Sequence, residues 1–372
     1  MTRPDDPRAA RDRVTEQQCR ELLAGRTVLV TGADGFVGSH LAELLLEYGA
    51  DVHTLIRPTS SGILSNLGHL LDQVQIHRAD ITDKQSVLQV LKRLGAVAKR
   101  EPVIFHLAAQ SHVGESWNRL YETFAANALG TMNLLQSIVD LELPIFKFDT
   151  AGSSEEYGNL HPEMRSAYRI GADGGLILDS TSPLNPQSIY ATSKVAADFL
   201  TRNYQAAYGV PGLVTRMFNN YGPRQNPRFV TGTIITQALT REYVQLGYVG
   251  AKRDFCFVND GARGHVHAAL FGEPGQVYVY GYGEHISIED WYHMIIKIGR
   301  EEGFWGDREL RLDEASRGRL GASEVYELRV DHAKLTDLTG WTPRHDWSDG
   351  IRRTIRWYAE HRDRWVGRVD WR

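Results

Sequence analysis

The stretch "TVLVTGADGFVGSH", residues 27–40, decides the fold. An apolar, β-branched run ends at Gly32, and Gly35 and Gly38 follow at the spacing G-x-x-G-x-x-G. A helical pattern, "SHLAELLLEYG", comes next, and then a second apolar run, "DVHTLIR", over 51–57. Strand, glycine turn, helix and strand make one βαβ unit. Glycines at the turn let the backbone and the helix N-terminus approach a phosphate with no side chain between them. A glycine triplet also serves ordinary turns. Its place between a strand and a helix makes Gly32, Gly35, Phe36, Val37 and Gly38 candidates for holding a dinucleotide pyrophosphate.

The same alternation runs outward along the chain. Strand patterns at 73–80, 102–109, 145–150 and 212–219 are separated by helical patterns at 83–94, 123–141 and 188–208. Such repetition predicts an α/β fold, a Rossmann-type doubly wound parallel sheet with helices on both faces. The last third is less regular and carries two amphipathic helical runs, "SIEDWYHMIIKIGREEG" and "SDGIRRTIRWYAEHRDRW". These predict a smaller C-terminal α/β substrate-binding domain. The expected division is a loose, partly helical N-terminal extension over 1–26 and a dinucleotide-binding domain over 27–218, to which 255–282 returns. The substrate domain is then 219–254 with 283–372.

Composition narrows the class. The 372 residues are 42% hydrophobic and 24% charged with a net charge of -4, which predicts no nucleic-acid partner. No apolar run approaches the length of a membrane span, and the charged first residues lack the apolar core of a secretory signal. No membrane partner and a cytoplasmic location are therefore expected. Cys19 and Cys256 are the only cysteines, too few for a disulfide framework or a zinc-type cluster, and no metal is expected.

Three further places bear on a dinucleotide. Arg57 ends the second strand, where a site for NAD often carries an acid for the ribose hydroxyls. An arginine there suits a 2′-phosphate and favours NADP over NAD; the plain alternative is a surface arginine. Asp80 and Ile81 follow the third strand, toward an adenine, and Ala108 and Ala109 follow the fourth, beside the ribose and pyrophosphate.

In "SIYATSKVAADFL", Tyr190 and Lys194 are four apart and share one helix face. A phenol ordinarily titrates near about 10. A neighbouring ammonium stabilises the phenolate and brings it toward general-base work. Upstream, "DTAGSSEEYG", 149–158, ends the fifth strand pattern with hydroxyls and adjacent acids. By itself it also reads as a polar turn.

Together with "HLAAQSHVGES", "RMFNNYGPRQ" and "LGYVGAKRDF", these motifs resemble the extended short-chain dehydrogenase/reductases that act on nucleotide-sugars. Over roughly 27–345 the chain is similar to nucleotide-sugar 4,6-dehydratases, the GDP-mannose type above all. The resemblance implies a tightly bound, recycled NAD(P)+ and a nucleotide-diphosphate sugar as substrate. It implies that Ser153 holds the sugar O4 beside Tyr190 and Lys194, and that Glu155 takes the C5 proton. Glucose-type dehydratases place Asp where Ser154 stands; Glu156 reads as a bystander that points elsewhere, a solvated or structural acid. His112 would lie near the nicotinamide, Asn219 and Arg253 on the pyrophosphate, and Arg319 with Glu324 on phosphate and ribose or base. Helices within 115–141 and 188–208 would build a homodimer or homotetramer. The segment between the loop and Tyr190 is long, and a lid, an oligomer contact and an inert insertion stay open. A 4-epimerase or a glucuronate decarboxylase on the same scaffold is the alternative activity, and a non-catalytic cofactor sensor the alternative class.

Overall fold

The computed structural model describes residues 14–57, 66–313 and 323–366. Seven strands form one sheet: β1 (Thr27–Thr31), β2 (Asp51–Ile56), β3 (Gln75–Arg78), β4 (Val103–His106), β5 (Lys147–Ser153), β6 (Gly212–Met217) and β7 (Val277–Tyr280). Their spatial order is β7-β6-β5-β4-β1-β2-β3, and every neighbouring pair is parallel. The order reverses at β1, so a crevice opens beyond the carboxyl ends of β1 and β4.

Period-two alternation decides which side chain enters which layer. Val28, Val30, Val103 and Phe105 pack on one face with Leu41 and Leu45 of helix Phe36–Glu47 and Val266 of helix Val258–Phe271. Leu29, Ile104 and Phe148 pack on the other face with Leu91 of helix Lys84–Val97 and Leu134 and Ile138 of helix Gly130–Asp140. Each such side chain, taken fully out of water, contributes about 1.5–3 kcal/mol. Residues 16–23 are not loose. They form helix Glu16–Leu23, opened by a capping box between Thr15 and Gln18, and Cys19 and Leu23 are fully buried in the first layer.

A second core gathers Tyr221, Phe255, Trp291, Ile295, Ile351 and Tyr358 around helices Val230–Thr240, Ile288–Glu301 and Trp347–Glu360. Phe255 stacks on Trp291 at 4.3 Å. The long segment after β5 folds as a wall. Arg169–Ile170 and Leu176–Ile177 pair antiparallel, and Leu178 bridges to Val330. Tyr168, Leu176 and Leu178 share a core with Tyr157, Phe218, Val325 and Leu328.

The helix expected over 123–141 is interrupted. Leu120–Phe124 and Gly130–Asp140 are α-helical, and Ala125–Leu129 between them is a π turn. Within the turn Asn127 points inward: its Oδ1 accepts from Gln110 N–H (2.8 Å), and its Nδ2 donates to Gln110 O (3.0 Å) and Ser193 Oγ (2.9 Å). π turns of this kind recur at functional sites.

Candidate active site

The glycine turn is held against the neighbouring strand end. Gly32 has φ +70°, and a Cβ there would stand 2.8 Å from Ala108 Cα. A Cβ on Gly38 would stand 2.3 Å from Gly32 O, so helix and loop meet closely there. Below the turn, Thr31 Oγ1 accepts from Ala108 N–H (3.1 Å) and bonds His106 Nδ1 (2.8 Å), whose Nε2 meets Thr131 Oγ1 (2.9 Å). Burial holds the His106 imidazole neutral, well down at about 3.

Helix Phe36–Glu47 begins at Gly35 with no side-chain cap. The first-turn N–H groups of Phe36, Val37 and Gly38 therefore have no side-chain acceptor among the described residues, an arrangement that suits an anion. This uncapped cradle fits a dinucleotide pyrophosphate. Ala108 and Ala109 line it half-buried from β4. Arg57 is exposed directly after β2. Asp80 stands past β3 with its Oδ1 engaged by Thr82 N–H (2.9 Å) and hydroxyl (2.8 Å). The Ile81 side chain points into the core beneath Gly130, and Ile81 O accepts from Asn133 Nδ2 (2.9 Å), so any ligand meets Ile81 through its backbone.

Ser153 is the last residue of β5 and the cap of the 3-10 turn Ser154–Glu156. Its hydroxyl accepts from Glu155 N–H (3.2 Å) and shares a hydrogen bond with the Tyr190 phenol. Tyr190 and Lys194 lie in the first turns of helix Ile189–Tyr208, which Ser188 caps by accepting from Ala191 N–H (3.1 Å). Lys194 Nζ donates to Ala151 O on β5 at 2.8 Å. Ser153, Glu155, Tyr190 and Lys194 are each 6–8% exposed. The structure thus brings all four together at the carboxyl end of β5.

One electrostatic expectation is reversed. Burial pushes the Tyr190 phenol up, the Ser153 hydrogen bond draws it back, and the charges of Glu155 and Glu156 push it further up. Burial also lowers the Lys194 amine to about 8, with Glu156 opposing. Within this set of side chains, loss of water outweighs the attraction expected from a tyrosine–lysine pair.

Sequence reasoning missed the support beneath these groups. Glu156 is fully buried, and its Oε1 accepts from Ser153 N–H at 2.7 Å. Arg216 of β6 sits between Glu156 and Asp198 of the Tyr190 helix. Asp198 lies one turn beyond Lys194, a spacing visible in the sequence; Arg216 has no local signal.

The expected substrate residues are more dispersed. Asn219 opens strand Asn219–Tyr221, paired with Phe255–Phe257, and its buried Oδ1 has no hydrogen-bond partner among the described residues. Arg253 is 4% exposed; its Nη2 donates to Glu324 Oε1 (3.0 Å) and its Nη1 to Lys252 O (3.0 Å). Glu324 is thus joined to Arg253, while Arg319, its expected companion, lies outside the described residues. His112 caps the short helix Val113–Ser116, its Nδ1 accepting from Glu115 N–H (3.1 Å), and its ring packs on Phe229. The adjacent Asp254, also missed, is fully buried and accepts from Tyr282 N–H (2.6 Å) and Gly283 N–H (2.9 Å), which ties Arg253 to the loop after β7.

Comparison with known proteins agrees with this geometry. Residues 29–354 match the family model described as GDP-mannose 4,6 dehydratase. A dTDP-glucose 4,6-dehydratase of Neisseria gonorrhoeae is 30% identical, over 91% of this chain and 97% of its own. A GDP-mannose 4,6 dehydratase of Arabidopsis thaliana is 31% identical, over 86% of each chain. The crystal structure of a dTDP-glucose 4,6-dehydratase from Streptomyces venezuelae with NAD bound superposes with a TM-score of 0.78. It is 27% identical and covers 92% of this chain and 99% of that one. The chain belongs to the GDP-mannose 4,6-dehydratase family, the nucleotide-sugar 4,6-dehydratases among the extended short-chain dehydrogenase/reductases.

Proposed function

We propose that this enzyme is a nucleotide-sugar 4,6-dehydratase of the GDP-mannose type, a carbon–oxygen lyase that forms a 4-keto-6-deoxy sugar. The observation that carries the reading is Glu155, a buried carboxyl on the same turn as Ser153 and beside Tyr190. When bound, the oxidised nicotinamide accepts hydride from the sugar C4 and later returns it to C6, and its positive charge draws the Tyr190 phenol downward. Ser153 holds the O4 hydroxyl, and Tyr190 takes its proton. Lys194, anchored on Ala151 O, supplies the cation that stabilises the phenolate. The 4-ketone acidifies the C5 proton, which Glu155 removes as the C6 hydroxyl departs. A plain epimerisation at C4 needs no base at C5. Ser154 stands where glucose-type dehydratases carry Asp, which favours the GDP-mannose type.

The uncapped helix start at Gly35 takes the pyrophosphate of a tightly held, recycled dinucleotide. Arg57 at the end of β2 favours a 2′-phosphate and so NADP; the relative from Streptomyces venezuelae was solved with NAD. Asp80 and Ile81 border the adenine, and Ala108 and Ala109 the ribose and pyrophosphate. Asn219 and Arg253 grip the sugar nucleotide's diphosphate, where the paired forks of a guanidinium suit phosphate oxygens. Glu324 orients Arg253, and His112 borders the nicotinamide. Residues 27–218 with 255–282 form the dinucleotide unit, and 219–254 with 283–372 the sugar-nucleotide unit. The protein works in the cytoplasm as a homodimer or homotetramer joined through helices within 115–141 and 188–208.

One experiment tests the chemistry. The purified protein is incubated in deuterated water with GDP-mannose, UDP-N-acetylglucosamine, UDP-glucose, UDP-glucuronate or dTDP-glucose, and products are read by mass and NMR. The expected result is loss of water from GDP-mannose with deuterium at C5, and release of NADP from the denatured protein. Loss of carbon dioxide, or an isomer of unchanged mass, would overturn the dehydratase; recovery of NAD alone would overturn the cofactor preference.

A further inference from the structure

Glu156 is adjacent to the proposed base and turns into a cluster of buried groups. Its Oε1 accepts from Ser153 N–H at 2.7 Å, and its Oε2 stands 3.2 Å from Arg216 Nε. Arg216 Nε donates to Asp198 Oδ2 (3.0 Å), Nη2 stands 2.9 Å from the same oxygen, and Nη1 donates to Tyr157 Oη (3.1 Å). Asp198 lies on the face that carries Tyr190 and Lys194, at i+4 and i+8. Tyr190 meets the Ser153 hydroxyl at the near end of this cluster. Glu156 and Asp198 are fully buried, and Arg216 is 3% exposed.

Charge does not balance at Arg216 alone. It faces two carboxylates, and Asp198 has a second cation in Arg202, 2.5 Å away at the rim. The further cation acting on Glu156 is Lys194. The groups around Glu156 are Arg216 from β6, Asp198, Tyr190 and Lys194 from the helix, and Tyr157 and Ser153 from its own turn.

We infer that Glu156 is the positioning residue of the reacting set: its carboxylate anchors the Ser153 N–H from behind and, through Arg216, is joined to Asp198 one turn from Lys194, so that Glu156 sets the charge beside that lysine. The inference rests on the reading of Ser153, Tyr190 and Lys194 as that set. Glu155 and Glu156 thereby divide the work, one facing the sugar and the other the buried Arg216. Electrostatics accord with this. Burial raises Glu156 to about 7, against the pull of Arg216, the Ser153 N–H and Lys194, while Asp198 pushes it up. Burial lowers Lys194 to about 8, and Glu156 opposes that fall.

Glu156→Gln keeps an oxygen to accept the Ser153 N–H and removes the charge. Its Lys194 midpoint, followed by NMR on lysine-labelled protein with Lys194→Arg for assignment, is expected to fall by about one pH unit. The alkaline limb of kcat is expected to move down with it while KM stays unchanged. Glu156→Leu also frees Ser153, so kcat is expected to drop at every pH. In the parent protein the Lys194 resonance is expected to shift in two steps, the first reporting Glu156. A parental midpoint in Glu156→Gln, or a single step in the parent, overturns the inference, and the parent titration decides if the variants do not fold. The resonance is read without substrate. A shifted midpoint in a protein that dehydrates no nucleotide-sugar therefore rejects the proposed function and keeps the coupling.

Discussion

Glu155 and Glu156 differ by one position and by the whole thickness of the turn between them. Glu155 N–H is tied to the Ser153 hydroxyl, which leaves its carboxyl beside Tyr190. Glu155→Gln keeps size and the backbone bond and removes only the base. Oxidation at C4 is expected to continue, so reduced dinucleotide accumulates and is seen by absorbance, while water loss falls about 10²–10⁴-fold. Water loss at the parental rate would remove Glu155 from the role. At this scale the sequence was informative where spacing is local. Tyr190, Lys194 and Asp198 repeat every four residues on one helix, and Ser153 and Glu155 sit two apart on one strand end. It was silent on Arg216, because only the sheet brings β6 beside β5. It also misjudged the charge balance at Tyr190, because burial is a tertiary quantity.

Elements explain why the cradle tolerates so little. The Gly38 Cβ position lies 2.3 Å from the Gly32 carbonyl oxygen, a backbone atom that cannot rotate aside, whereas the Gly35 position lies 3.0 Å from the same oxygen. Gly38→Ala is therefore expected to displace the turn and weaken dinucleotide affinity by at least about 10-fold, roughly 1.4 kcal/mol, with Gly35→Ala weaker in effect. Titration calorimetry on protein stripped of dinucleotide checks the order; equal affinities for parent and Gly38→Ala would show that the turn does not set the site. The strands were legible because each layer alternates residue by residue, Val28 and Val30 against Leu29. Helix 123–141 was legible in extent and not in its π turn, since Asn127 answers to Gln110 and Ser193. The wall after β5 was illegible for a similar reason. Its hairpin is pinned by Arg169 to Asp179 and Asp331 and by Asp173 to Arg329, two of those partners lying more than a hundred residues away in the chain.

At the scale of the whole molecule, two packed helical segments leave large apolar side chains in solvent. Tyr121 is 90% exposed, Leu129 46% and Phe199 46%. Phe199 lies on the helix that carries Tyr190, and Tyr121 lies just before the π turn that holds Asn127 on Ser193 of the same helix. A partner on this face would thus press on the backs of the elements that hold the reacting groups, which couples assembly to catalysis through packing. A stable interface removes about 1,200–2,000 Å² from water, which a four-helix contact of this length can supply. The double variant Tyr121→Glu with Phe199→Glu places charges where that contact would exclude water. Light scattering after size exclusion is expected to show the parent as a dimer or tetramer and the double variant at half the parental mass or less. The parent's circular dichroism should persist, because both side chains project outward. A monomeric parent, or a double variant with the parental mass, would remove this face from the assembly.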